Sequence, residues 1–443
     1  MTDKKTSVGL ISLGCPKNMV DSERMLAEIA QAGLLITTDA DNADVVVINT
    51  CGFIAPAKAE AIEAIKHAIA CKRKGKIKKV IVAGCLAQRM GAELLNEVMG
   101  IDAIVGLGER DRIADIIRKT LVTDKPASYL EHACQLPFSD KTRLRITPKH
   151  WAYLRISEGC DHRCAFCTIP FIRGRFKSKP LEMITAEAKE LADSGAVELN
   201  LIAQDTNYYG KDLKIKDGLS VLIKKIEKIT GVKWLRLLYL YPTGITDNLL
   251  ETIAASEKVV HYFDIPLQHI NSAVLKNMRR SDTKEQIYKL IEKIRIILPD
   301  VVLRTTLIVG LPGETEKEFE ELLDFVKWSE FDCLGCFKYY AEAGTAAAQM
   351  PKQVPEKTKE ERAEKLMLTQ QQIAFDINKF RIGTELTCLL DSAQKGVGTG
   401  RFYGQAPEID STCIIKNCKA TPGTFLDAKV IGTKDYDLVL KQI

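Results

Sequence analysis

Tyr153-Leu154-Arg155-Ile156-Ser157-Glu158-Gly159-Cys160-Asp161-His162-Arg163-Cys164-Ala165-Phe166-Cys167 reads as a short apolar strand running directly into a loop with three cysteines. Short apolar runs recur downstream at 198–203, 234–238, 262–265, 302–309 and 333–338, and helix-period stretches separate them at 181–194, 219–230, 247–255, 283–298 and 315–329. Brief runs rich in branched residues between helices predict buried parallel strands. Six such units make about three quarters of an eight-stranded α/β barrel, a partial (βα)6 TIM-like barrel, in which catalytic loops leave the carboxyl ends of strands. From pattern alone, a doubly wound sheet is the alternative.

Upstream, apolar runs at 8–13, 44–49, 79–83 and 103–105 alternate with helical patterns at 21–32, 57–71 and 92–99. That order predicts a doubly wound α/β domain. Each of the first three runs is followed almost at once by a cysteine: Cys15, Cys51 and Cys85, 36 and 34 residues apart. Ligands of open parallel sheets sit outside the carboxyl ends of the strands, so these thiols are expected to converge. The plainer reading is three compact residues in βα turns. Residues 122–145, with Pro126 and Pro137, read as a linker. Residues 355–380 form a long charged helical pattern, and the last ~60 residues, with strands at 385–390, 412–416, 427–431 and 437–440, read as a small antiparallel β-barrel. The expected domains are therefore 6–122, 146–376 and 379–443.

Composition supports a globular protein of several domains: 46% of the 443 residues are apolar and 27% charged. A formal charge of +5 is small for binding nucleic acid by charge alone. Thirteen cysteines, an odd number in a long chain, make a poor disulfide framework and suit metal or catalytic use. No apolar run reaches the ~18 residues of a membrane span. The run before Cys15 is too short for a secretory signal, so the expectation is a cytoplasmic protein with no membrane partner.

Thiolates spaced C-x3-C-x2-C in one loop suit an iron–sulfur cube and leave one iron without a protein ligand. Zinc, with His162 as a fourth ligand, is the structural alternative. Cys160, Cys164, Phe166 and Cys167 together resemble the signature of the radical S-adenosylmethionine superfamily. The resemblance implies a [4Fe–4S] cluster whose open iron chelates S-adenosylmethionine, reductive cleavage to a 5′-deoxyadenosyl radical, and an aromatic at Phe166 near the adenine. Over essentially the whole chain the order of domains resembles the methylthiotransferase family, with a terminal TRAM barrel. That likeness implies that Cys15, Cys51 and Cys85 hold a second [4Fe–4S] cluster that presents sulfur, while the first makes the radical. An external sulfur donor and an electron donor are implied as well.

Ser12-Leu13-Gly14-Cys15-Pro16-Lys17-Asn18 with Asp21-Ser22-Glu23, then Pro266-Leu267-Gln268-His269, then Gln405-Ala406-Pro407-Glu408-Ile409-Asp410, resemble the RimO-type branch. Its implied substrate is an aspartate of ribosomal protein S-twelve; the sister branch acts on an adenosine in transfer RNA. The terminal 377–443 segment, with nine Lys+Arg against seven Asp+Glu, suits a protein substrate. An iron–sulfur sensor binding RNA through that segment is a reading of another class, and it would need a more basic or aromatic surface. For S-adenosylmethionine, the family likeness points to Gln204 and Asp205 after the second barrel strand. Arg304 is expected to fork onto the cofactor carboxylate and Ile308 to pack on adenine, or simply to fill the barrel. Leu311-Pro312-Gly313-Glu314-Thr315 reads as a turn and helix start, weak as a phosphate loop. Cys333 and Cys336, three apart on a strand, are expected to face opposite sides. Cys71, Cys134, Cys388, Cys413, Cys418 and His67 are read as packing or surface residues.

Overall fold

The computed structural model describes residues 5–130 and 139–443; Cys134 and Pro137 lie outside the described residues. The chain forms two compact units. One runs to Ile146 and takes in Ser157–Arg163 and Cys167–Met183; the other comprises Thr147–Ile156, Cys164–Phe166 and Ile184–Ile443.

The first unit is built on β1 (Ser7–Ser12), β2 (Leu35–Thr37), β3 (Val45–Thr50), β4 (Lys79–Gly84), β5 (Ala103–Val105) and β6 (Ala127–Tyr129). They form one parallel sheet in the order β2-β1-β3-β4-β5-β6. All six residues of β3 are buried, because both faces are covered. Val46, Ile48, Val80 and Val82 pack with Ala61 and Ile65 of the helix Ala55–Arg73. The alternate residues Val45, Val47, Ile81 and Ala83 pack with Met25, Ile29, Ile113 and Ile116. The period-2 alternation of side chains produces this division.

The sheet order reverses between β1 and β3, so the crevice outside their carboxyl ends is the topological switch point. Edge strands β2 and β6 were not expected. Unlike β5, which is as short but wholly buried, they are partly exposed and lack a fully apolar run, and β6 lies in the stretch read as a linker. The first helix spans Pro16–Gln31 and starts five residues before the expected 21. Pro16 suits the first turn, where its missing N–H goes unused. A helix over Cys85–Met90, also not expected, is too short to carry a 3.6-residue period. In the same unit β8 (Ser157–Glu158) pairs antiparallel with β9 (Lys177–Ser178), pinning both ends of the 157–178 excursion.

The second unit holds β7 (Trp151–Arg155), β10 (Glu198–Ile202), β11 (Trp234–Leu237), β12 (Val259–Gln268), β13 (Val302–Val309) and β14 (Cys333–Lys338). They form a six-stranded parallel sheet in which each strand lies beside its successor. Sequential order without reversal is the winding of an α/β barrel and not of a doubly wound sheet. A helix over Glu356–Phe380 precedes a closed barrel of β15 (Glu385–Gln394), β16 (Val397–Phe402), β17 (Cys413–Lys416), β18 (Phe425–Lys434) and β19 (Asp437–Gln442). Its β16 was not among the expected strands; Gly398 and Gly400 interrupt the apolar pattern there. The pairings are antiparallel except β17 with β19, which is parallel. A ring of five cannot alternate direction all the way round, so one parallel pair is forced.

The segment 401–411 of this small barrel closes the amino ends of the parallel strands. Glu198 bonds Arg236 Nε (2.9 Å) and Arg401 Nη1 (2.6 Å), and Arg401 is gripped in turn by Asp391. Asp410 accepts from the Tyr262 hydroxyl (2.7 Å) and Arg304 Nε (3.2 Å). Buried charges of this kind are tolerated because each is paired and hydrogen-bonded; deleting one partner costs about 3–5 kcal/mol. The Gln405–Asp410 motif is therefore a docking device.

Candidate functional site

Cys15, Cys51 and Cys85 stand at the carboxyl ends of the adjacent strands β1, β3 and β4, two of them flanking the switch point. A glycine beside each allows the turns to close on one another. A Cβ on Gly14 would lie 2.7 Å from the Cys51 Cβ, and one on Gly52 would lie 2.7 Å from the Leu86 Cα. Gly84 has φ +91°, and a Cβ there would lie 2.2 Å from Asn49 Oδ1. Only glycine suits such positions. Asn18 Nδ2 donates to the carbonyl of Leu13 (2.6 Å), and Asn49 Nδ2 donates to the Asn18 carbonyl (2.8 Å) and to Ser22 Oγ (2.8 Å). Asn18 and Ser22, conspicuous after the first cysteine, thus stitch two strand ends together.

Burial pushes the Cys85 thiol up to about 12 and raises Cys51; Cys15 adds to the rise of both, and Cys51 to that of Cys85. A desolvated thiolate needs a compensating cation. Arg173, 2% exposed, supplies one. Its Nη2 donates to Cys85 Sγ (3.3 Å) and Asp21 Oδ2 (3.0 Å), and its Nη1 donates to both oxygens of Glu158 (3.1 Å each). Asp21 also pairs with Arg110. Nothing in the sequence singled out Arg173.

The second trio follows β7 and β8. The Cys160 N–H donates to the Gly174 carbonyl (3.2 Å), and Gly159, at φ +74°, has no room for a Cβ against the Arg175 carbonyl. In the second unit, Ala165 is held through both backbone groups: its N–H donates to Met278 and its carbonyl accepts from Ala347. Burial raises the Cys164 thiol, and the guanidinium of Arg280 beside it opposes that rise. Arg280 lies 4.2 Å over the Tyr241 ring and 3.2 Å from Asp282. It too went unnoticed in sequence.

Gln204 and Asp205 follow β10 directly, and Asp205 accepts from the Tyr208 N–H (3.2 Å), which commits one of its oxygens to a turn. Ile308 is next to last in β13 and 9% exposed; Phe166 is half-buried. Arg304 departs from expectation. It sits in the amino half of β13, with Nη1 on Asp264 (2.9 Å) and Nε on Asp410. Its fork is taken by two carboxylates, so the expected pairing with a cofactor carboxylate does not hold. The 311–315 turn is no anion cradle either: Glu314 itself accepts the Gly310 N–H (2.9 Å) and pairs with Arg362 (2.8 Å). Burial pushes that carboxyl up to about 7.

The remaining cysteines are scattered. Cys333 lies near Arg304 and Asp410, Cys336 near Glu314, in keeping with opposite faces. Cys413 bonds Gln405 Oε1 (3.1 Å) beside Cys388 inside the small barrel. Cys71 is buried, and His67 is a surface residue paired with Asp41 (3.0 Å). No disulfide joins any of the described cysteines, and among the described residues no helix is long and apolar enough to cross a membrane.

Three family models match in the order of the architecture: "Uncharacterized protein family UPF0004" over 7–106, "Radical SAM superfamily" over 154–326 and "TRAM domain" over 382–443. The "Ribosomal protein uS12 methylthiotransferase RimO" of Geobacter sulfurreducens is 43% identical over 99% of this chain and 99% of its own length. That of Pelotomaculum thermopropionicum is 45% identical over 97% and 98%. The chain belongs to the RimO family of radical S-adenosylmethionine methylthiotransferases. A radical S-adenosylmethionine methyltransferase, TsrM of Kitasatospora setae, shares the fold with TM-score 0.54 and 14% identity, over 89% of this chain and 80% of its own. Membership of the RimO family implies S-adenosylmethionine and a [4Fe–4S] cluster. The donor set fits a cluster, since cysteine sulfur is its usual ligand and the Cys160–Cys167 loop offers three thiols.

Proposed function

We propose that this chain attaches a methylthio group to the β-carbon of an aspartate in ribosomal protein uS12. In this reading it uses two [4Fe–4S] clusters, one on Cys15, Cys51 and Cys85 and the other on Cys160, Cys164 and Cys167. The observation that carries the two-cluster reading is that Cys15, Cys51 and Cys85 follow the carboxyl ends of three adjacent strands, with a buried guanidinium bonded to one of them. The substrate follows from similarity to RimO proteins over nearly the full length. When bound, the clusters and S-adenosylmethionine supply a radical strong enough to take hydrogen from an unactivated carbon, and the sulfur to replace it.

The protein's part is placement. Phe166, Gln204, Asp205 and Ile308 are the side chains assigned to S-adenosylmethionine; Arg280 steadies the Cys164 thiolate, and the tie of Asp410 to Arg304 keeps the opposite end of the barrel shut. The work divides among three domains, 6–122, 146–376 and 379–443. Sulfur and electrons come from external donors. Anaerobic incubation of the reconstituted enzyme with S-adenosylmethionine, sulfide and reductant, separately with uS12 and with transfer RNA, tests this reading by mass spectrometry. One SCH3 in place of one hydrogen on a uS12 aspartate is the expected product. Methylthioadenosine in the RNA with unmodified uS12 overturns the substrate.

A further inference from the structure

Arg173 is a buried cation whose hydrogen bonds reach the Cys85 sulfur and the carboxylate of Glu158, two residues before Cys160. A guanidinium stays charged at any pH a protein survives, so in the interior it must be matched by anions. Glu158 accepts from Nη1 through both of its oxygens, and Asp21, already shared with Arg110, accepts from Nη2. The Cys85 sulfur also accepts from Nη2, at 3.3 Å. The same corner touches the loop trio: Glu158 stands two residues before Cys160, and Gly174, next to Arg173, accepts the Cys160 N–H. A fork with fixed geometry therefore fastens a cluster-ligand sulfur and the root of the radical loop to one group.

We propose that Arg173 is a positioning residue for the sulfur-presenting centre, holding Cys85 and Glu158 in one fork and setting how readily a cluster on Cys15, Cys51 and Cys85 accepts an electron. This rests on the two-cluster reading above. Hydrogen bonds and positive charge next to cluster sulfur stabilise the reduced, more negative state and raise its potential. Glu158 acts in the opposite sense by offsetting the same guanidinium. Loss of the cation and loss of its carboxylate partner must therefore move the potential in opposite directions, which damage to packing would not do.

The test is an anaerobic redox titration of the full-length reconstituted protein followed by electron paramagnetic resonance. The strand-end signal is assigned in a form with Cys160, Cys164 and Cys167 replaced by Ala. Arg173→Met is expected to shift the strand-end potential to more negative values. Arg173→Lys, which keeps charge but not the fork, is expected to shift it less, and Glu158→Gln to more positive values. Should Arg173→Met lose its strand-end iron, Arg173→Lys and Glu158→Gln carry the same comparison. Unchanged potentials, or shifts of one sign in all variants with iron intact, overturn the proposal. Iron for only one cluster in the parent protein overturns instead the two-cluster reading on which it stands.

Discussion

In the two-cluster reading proposed above, the two cysteine trios would reach similar chemistry by opposite routes. Cys160, Cys164 and Cys167 lie within eight residues, and their spacing is a property of one loop. Cys15, Cys51 and Cys85 are spread over seventy-one residues and share one end of the sheet only because β1, β3 and β4 are neighbours around a switch point. A local trio survives wherever its loop is anchored. A dispersed trio inherits the tolerances of the sheet: a glycine at each turn, two asparagines stitching the strand ends, and Arg173 countering the buried sulfur. The dispersed site is the more fragile, and perturbations of the first sheet should register there first.

The harshest test removes one trio at a time. Replacing Cys15, Cys51 and Cys85 by Ala should abolish methylthio product and leave about half the iron, because the proposed reading gives each cluster three ligands of its own. Replacing the loop trio should also leave half the iron but no 5′-deoxyadenosine. Anaerobic iron and sulfide analysis with product chromatography reads both, and full loss of iron in the first variant would erase the contrast drawn here.

Away from both trios, Asp410→Ala strands the Arg304 guanidinium and the Tyr262 hydroxyl at the closed end of the parallel strands. Denaturant unfolding should show a loss of about 3–5 kcal/mol in the second unit, the usual cost of breaking a buried ion pair, with strand-end iron unaffected. Gly84→Ala forces a Cβ against Asn49 Oδ1 and a residue with a side chain into φ +91°. That strain costs about 1–3 kcal/mol, and iron analysis should show the strand-end cluster depleted with the loop cluster intact. Equal depletion of both would contradict the idea that only one site depends on the sheet.

The mildest perturbation lies at the amino edge of the first sheet. Asp44 accepts from the Ser7 N–H (2.8 Å) and pairs with Lys78, which hold its carboxyl down at about 2, against 3.8 unperturbed. A depressed acid stabilises the fold fully above its unfolded value, and this contribution disappears as pH falls through its folded value. Allowing for the exposed lysine, Asp44→Asn should cost about 1–2 kcal/mol at pH 7 and almost nothing near pH 2. Thermal unfolding across that range checks the sign, and cluster content at neutral pH should not change.

Much of this was legible in advance where information is local. The strands of the second unit showed as apolar runs, and the Cys160–Cys167 loop as a fixed spacing. The partly exposed edge strands β2 and β6 escaped because they lack the fully apolar run that marks the equally short β5, and the six-residue Cys85–Met90 helix because it is too short to show a helical period. Arg304 was misplaced because a strand residue's type says nothing of which end of the barrel it serves. Its neighbours Asp264 and Asp410 come from 40 residues before and 106 after.

The sequence by itself determined the order of three folding patterns, the loop able to hold a cluster, and three cysteines that each end a strand. The tertiary structure alone decided that those three strands are adjacent, that a buried arginine reaches Cys85, and that the Gln405–Asp410 motif serves docking. The physical reason is range. Strand and loop propensities act over a few residues, whereas strand order and the pairing of buried charges depend on groups tens to hundreds of residues apart, which only the folded chain brings together.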